Sequence, residues 1–247
     1  MELGLEGQIA LVTGAATGLG YTYAEALVRE GVNVLLTDLD REGAVAAAAE
    51  LAKEGDGKII GMGLDVGNED HIATAVERTV NEFGGIDILV NNAGLARGRW
   101  QALSDLSFDE WETLFRINVA SMARLAYHVR PHMVARGGGK IVNQSSNSAY
   151  FKLSNSYAVS KIAVSGLTIG LAEEFEPDNI RVNGIAPGMM TGRVPQEIID
   201  MVVSRQVMKR RGKHEDLVGA LIFLCSDVSS FITGQTILVD GGAAFRV

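Results

Sequence analysis

The feature that most restricts this chain is a rhythm in which short runs of apolar, β-branched residues alternate with longer helical patterns. Ile9 to Thr13 precedes a helical stretch at Tyr21 to Glu30, Val32 to Asp38 precedes Arg41 to Lys53, and Lys58 to Asp65 precedes Glu69 to Phe83. The alternation continues through Ile86 to Asn91 and Phe108 to Arg136, Lys140 to Ser146 and Ser156 to Glu176, then Ile180 to Ala186 and Thr236 to Val239. Runs such as IALVT, NVLLT and IDILV are apolar on both faces, which suits a strand inside a parallel sheet covered by helices on both sides. The expected fold is α/β, a Rossmann-type doubly wound parallel sheet of about seven strands. Gly137 to Gly139 reads as a helix stop, and with no linker, repeat or low-complexity tract the whole of 1–247 is expected to form a single domain.

Composition narrows the partners. A formal net charge of −8 argues against a partner with a phosphate backbone, so small-molecule chemistry is expected and nucleic acid is not. No apolar run approaches the roughly 18 residues of a membrane span, so a soluble protein without a membrane partner is expected. Cys225 is the only cysteine, which rules out an internal disulfide or a Cys-based metal cluster, and with no signal-peptide pattern at 1–7 the expected location is cytoplasmic. His71, His128, His132 and His214 form no metal pattern: His128 and His132 share a helix face, but no Cys and no neighbouring carboxylate joins them, so no metal is expected.

The first apolar run leads into Thr13-Gly14-Ala15-Ala16-Thr17-Gly18-Leu19-Gly20 and then directly into a helix. Gly14, Gly18 and Gly20 let the chain turn tightly and let backbone approach a pyrophosphate, while the helix N-terminus supplies unpaired N–H groups and a positive dipole end. A glycine-rich turn alone would mean little. This one lies between a strand and a helix, and an acid, Asp38, follows 18 residues after Gly20 at the end of the second strand. Asp38 is placed to accept from adenosine ribose hydroxyls. A 2′-phosphate there would face a carboxylate, and neither Thr17 nor Leu39 adds compensating charge, so NAD is favoured over NADP; Arg41 is the one nearby cation arguing otherwise. Asp38 also reads as a cap for the helix beginning near Arg41, a role compatible with ribose binding.

Further marks follow in order: Asp65-Val66 after the third strand, Asn-Asn-Ala-Gly at 91–94, Asn118 in a long helix, Ser145-Ser146, Tyr157 with Lys161, and Pro187-Gly188 after the sixth strand. With the glycine motif, these make the chain resemble the classical short-chain dehydrogenase/reductase family over essentially its whole length. The resemblance implies an oxidoreductase that interconverts a secondary alcohol and a ketone by hydride transfer. It implies that Thr17, Leu19 and Leu39 join the cofactor contacts and that Asp65 and Val66 border the adenine. Asn92 and Gly94 would line the cofactor trough, and Met190, in the turn that begins at Pro187, would meet the nicotinamide amide through backbone groups. Taken singly, Asp65 reads as well as a helix cap, and Asn91 to Gly94 as a strand-closing turn.

Tyr157 and Lys161 stand four residues apart in a helical segment, one turn apart on the same face. A free tyrosine, with a pKa of roughly 10, is a poor base, but a nearby ammonium favours the phenolate and moves it toward the working range. The family assigns Lys161 a second role, hydrogen bonding to the nicotinamide ribose. Ser146 is the residue expected to hydrogen-bond the substrate oxygen. It lies 11 residues before Tyr157, a couple fewer than the usual family gap, so a shortened loop is expected over Asn147 to Ser156, and Ser145 and Ser148 stay open as alternatives. Asn118 resembles the fourth catalytic residue, whose backbone holds a proton-relaying water; the plainer reading is a buried Asn bracing its helix.

Thr191 lies four residues past Pro187, where the family commonly has a threonine at five, which leaves its nicotinamide-side contacts open. The segment Thr191 to Arg211 interrupts the strand–helix rhythm and reads as the substrate lid, and together with the loop Leu95 to Leu103 it is expected to set specificity. Two rival readings are a 3-oxoacyl-thioester (acyl-carrier-protein) reductase, which would usually prefer NADPH, and a catalytically silent dinucleotide-binding sensor. The resemblance further implies a homotetramer paired through 108–136, 156–176 and the C-terminal strand region 234–242.

Overall fold

The computed structural model describes residues 2–96, 98, 101–151, 154–192 and 194–244. Seven strands, β1 (Ile9–Thr13), β2 (Asn33–Asp38), β3 (Ile59–Gly63), β4 (Ile88–Asn91), β5 (Gly139–Gln144), β6 (Ile180–Pro187) and β7 (Thr236–Val239), form one sheet in the order β3-β2-β1-β4-β5-β6-β7. Every pairing is parallel. Chain order reverses where β1 meets β4, with Ala10 opposite Ile88 and Val12 opposite Val90, and a crevice opens beyond the C-terminal ends of these strands.

Successive side chains of a strand point to opposite faces, and here both faces are buried. Ala10, Val12, Val34, Leu36, Ile88 and Val90 pack on one side against α1 (Gly18–Arg29), α2 (Arg41–Leu51) and α8 (Val218–Cys225). Leu11, Leu35, Leu89 and Ile141 pack on the other against α3 (Glu69–Phe83), α5 (Ser121–Ala135) and α6 (Ser156–Glu174). This alternation is the sequence rhythm read in three dimensions.

The structure departs from the sequence expectation in several places. The single helix expected over Phe108 to Arg136 is α4 (Phe108–Phe115) and α5 joined by a π turn at Arg116–Ala120. Two helices went unanticipated: α7 (Gln196–Arg205), inside the segment read as a lid, and α8. The statement that no carboxylate neighbours His128 is corrected by packing, because α3 brings Glu69 Oε1 to 2.7 Å from His128 Nε2, and this contact lowers the Glu69 pKa. Among the described residues no three His, Cys, Asp or Glu side chains group as metal ligands, and no helix is long and apolar enough to cross a membrane. Arg97, Arg99 and Trp100 of the loop Leu95 to Leu103, and Arg193 of the expected lid, lie outside the described residues.

Candidate active site

The glycine loop is held in shape by strand ends. Gly14 has φ +64°, and a Cβ on it would stand 2.8 Å from the Ala93 backbone. Gly20 is packed so tightly that a Cβ would lie 2.2 Å from the Gly14 carbonyl. Asn92 Nδ2 donates to the Thr13 and Gly14 carbonyls at 3.0 and 2.7 Å, so its side chain braces the loop from β4. Gly18, at φ +65°, faces open space. The N-termini of α2, α3, α4 and α6 are capped by Asp40, Asn68, Ser107 and Asn155, whereas Thr17 offers α1 no side-chain cap. Its N-terminal N–H groups and open glycine therefore fit a pyrophosphate.

Asp38 closes this region at the end of β2, with Oδ2 accepting from Ala16 N and Oδ1 from Asp40 N, both at 3.0 Å. The α2 cap is Asp40, not Asp38. Asp65 likewise is not a cap: it accepts from Gly67 N at 2.8 Å in a tight turn, and Asn68 caps α3. Asp38, Leu39, Asp65 and Val66 line a slot of about 300 Å³ together with Gly14, Asn92 and Gly94. Leu39 is three-quarters exposed and offers an apolar edge to that slot.

Asn92 and Gly94 also line an adjoining cavity of about 350 Å³, which gathers Leu19, Ser145, Ser146, Tyr157, Lys161, Pro187 and Met190. The two spaces make one trough from β2 to the start of α6. Lys161 is almost wholly buried, its Nζ donating to the Gln144 carbonyl at 2.7 Å and standing 5.8 Å from the Tyr157 ring centre. Ser145 and Ser146 divide their work. Ser145 Oγ turns inward to the Lys161 carbonyl at 3.0 Å. Ser146 caps a short 3-10 turn over Asn147–Tyr150, accepting from Ser148 N at 3.1 Å, while Ser148 is not among the cavity-lining residues. Asn147 Nδ2 donates to Asp240, tying this turn to the loop after β7.

Asn118 does not line the cavity but stands behind its wall. It sits in the π turn, fully buried, its amide donating to the Leu95 carbonyl and Ser160 Oγ while Oδ1 accepts from Leu95 N at 2.7 Å. The side chain thus clamps Leu95, which lines both spaces. π turns are rare and concentrate at functional positions.

Three cavity features escaped the sequence reading. Gln144, the last residue of β5, lines the cavity beside Lys161. Its signal was a polar residue at the C-terminal end of a parallel strand, where ligands of such sheets bind. Arg211 and His214 hold the turn after β6: Arg211 Nη2 donates to the Met190 and Gly192 carbonyls at 2.5 and 3.2 Å, and His214 Nε2 contacts the Thr191 carbonyl at 3.2 Å. No local signal marked either one.

A family model described as enoyl-(acyl carrier protein) reductase matches residues 14–244. An uncharacterized oxidoreductase of Mycobacterium tuberculosis is 41% identical, over 98% of this chain and 99% of its own. A 3-oxoacyl-(acyl-carrier-protein) reductase of Thermotoga maritima is 36% identical, over 96% of this chain and 98% of its own. The solved structure of a 7α-hydroxysteroid dehydrogenase complexed with NADH and 7-oxo glycochenodeoxycholic acid matches with a TM-score of 0.92 at 31% identity, covering 98% of this chain and 96% of that one.

Proposed function

Since the chain belongs to the classical short-chain dehydrogenase/reductase family of oxidoreductases, we propose that it interconverts a secondary alcohol and a ketone with NAD(H), using Tyr157 as general acid/base. The observation that carries this reading is the single cavity in which Ser146, Tyr157 and Lys161 meet beside the trough that runs back to Asp38. Bound there, the nicotinamide would supply or accept the hydride. Ser146 Oγ would hold the substrate oxygen, Tyr157 would exchange a proton with it, and the Lys161 ammonium would stabilise the phenolate. Asn118, through its grip on Leu95, would keep the cavity wall against Lys161. The segment 191–211 would act as the lid.

Asp38 supports NAD over NADP, since a ribose hydroxyl can donate to a carboxylate that a 2′-phosphate would meet with like charge. The Thermotoga relative favours a second reading, reduction of a 3-oxoacyl thioester on the same residues. A homotetramer is the assembly the family reading implies. The exposed apolar side chains of Tyr127, Val134 and Ile169 on α5 and α6 would give it something to cover.

The test is NAD or NADP reduction with secondary alcohols spanning steroids, polyols, terpenes and aryl carbinols, and NADH or NADPH oxidation with a 3-oxoacyl thioester. Tyr157→Phe should lower kcat on the accepted substrate about a hundred- to ten-thousandfold while leaving NADH affinity within about twofold. Near wild-type turnover in that variant would remove Tyr157 from the chemistry.

A further inference from the structure

Gln144 is 7% exposed and does two things at once. Its main-chain carbonyl accepts from Lys161 Nζ at 2.7 Å, and its side-chain Oε1 accepts from the Tyr23 hydroxyl at 2.9 Å. Tyr23 is fully buried in α1, and its hydroxyl has no other acceptor among the described residues, so it must donate to Gln144. That fixes the orientation of the amide. With Oε1 committed to Tyr23, the polar group left for the cavity is the NH2 arm, which has no partner among the described residues. A ligand that fills the cavity displaces the water this N–H now reaches, and an amide donor withdrawn from water without an acceptor is costly, so the occupant must present one.

The position says what that acceptor belongs to. Leu19 and Tyr23 are four residues apart on one face of α1, and Leu19 lines the same cavity as Gln144. Tyr157 and Lys161 line it as well. Gln144 therefore lies between the glycine loop and the Tyr157–Lys161 pair, beyond the slot formed by Asp38 and Asp65.

We propose that Gln144 is a cofactor-binding residue whose amide N–H donates to an acceptor oxygen on the nicotinamide half of the dinucleotide, with Tyr23 as the residue that positions it. This rests on the dinucleotide reading above. An apolar residue could fill the same volume but would leave that oxygen without a donor, so the hydrogen bond adds affinity for the nicotinamide half alone.

The experiment is a titration of wild type, Gln144→Leu and Tyr23→Phe with NADH, and with 5′-AMP as a probe of the adenosine half. Gln144→Leu is expected to raise the NADH Kd about five- to tenfold, the range of one lost hydrogen bond, and leave the 5′-AMP Kd within about twofold. Tyr23→Phe keeps the amide but frees it to rotate, and is expected to raise the NADH Kd about two- to threefold. If Gln144→Leu does not fold, Gln144→Glu keeps the acceptor for Tyr23 and replaces the donor with an anion, and it should again weaken NADH while sparing 5′-AMP. An unchanged NADH Kd in the glutamine variant, or equal weakening of NADH and 5′-AMP, overturns the proposal. Wild type that binds neither NADH nor NADPH would instead overturn the dinucleotide reading itself.

Discussion

The two ends of the trough are built differently. The end at Asp38 is made of strand tips and the short turns that leave them, where Asp38 holds Ala16, Asp65 holds Gly67 and Asn92 holds Thr13 and Gly14. The end at Met190 hangs on a distant segment. Four consecutive carbonyls, from Met189 to Gly192, accept from Gly212 N, Arg211, His214 and Arg211 again. A site whose recognition step rests on the sheet is rigid and common to many substrates, while a site set by loops can change specificity without disturbing the chemistry. The comparison breaks if a loop-side change harms cofactor binding as much as a strand-side change does.

The largest effect is expected at the strand side. Gly20→Ala sets a methyl group 2.2 Å from the Gly14 carbonyl and 2.6 Å from Asn92 Nδ2, contacts that only a backbone shift can relieve. Thermal denaturation should show a loss of about 1–3 kcal/mol, as overpacked sites do. The NADH Kd should rise at least about tenfold, because the loop that must move is the one read as the pyrophosphate cradle. Wild-type affinity in a folded variant would show that the cradle tolerates displacement.

Asp38→Ala comes next and sharpens the comparison, because this carboxylate braces the loop and is also the group proposed to meet the ribose. Losing the like charge toward a 2′-phosphate should narrow the preference for NAD over NADP roughly tenfold in kcat/KM. A ratio that stays fixed while Tm falls would assign Asp38 to bracing alone.

The same contrast explains what the sequence disclosed. Seven strands were legible because each is short and built around apolar, largely β-branched residues, and the glycine loop with Asp38 was legible because turn chemistry is local. The helix α8, VGALIFLC, was not, since a segment apolar on nearly every side carries no helical period to detect. Nothing local announces the π turn around Asn118 either; α4 and α5 share one periodic pattern, and the break shows only where Asn118 grips Leu95. Gln144 and Tyr23 are 121 positions apart, and Arg211 and Met190 are 21 apart. Such partners meet through topology, so residue type and spacing give no warning of them.

Arg211 offers the smallest effect and the sharpest discrimination. Its Nη2 bridges the carbonyls on either side of Thr191, while the backbone of Gly212 and the ring of His214 hold the same turn, so three holds act on it. Arg210, beside it, forms an ion pair with Asp216 that brings that carboxyl down to about 2 and anchors the segment at its far side. Arg211→Met removes one hold and leaves the Gly212 backbone and His214. The turn lines the cavity at Tyr157 but not the slot at Asp38, so the KM for an accepted alcohol should rise about three- to fivefold, kcat should stay within about twofold, and the 5′-AMP Kd should not move. Arg211→Lys keeps the charge without the planar fork and should fall between the two. Steady-state kinetics on both variants separates the possibilities: a KM unchanged in Arg211→Met means Gly212 and His214 set the turn without Arg211, and a raised 5′-AMP Kd means the two ends of the trough are mechanically one.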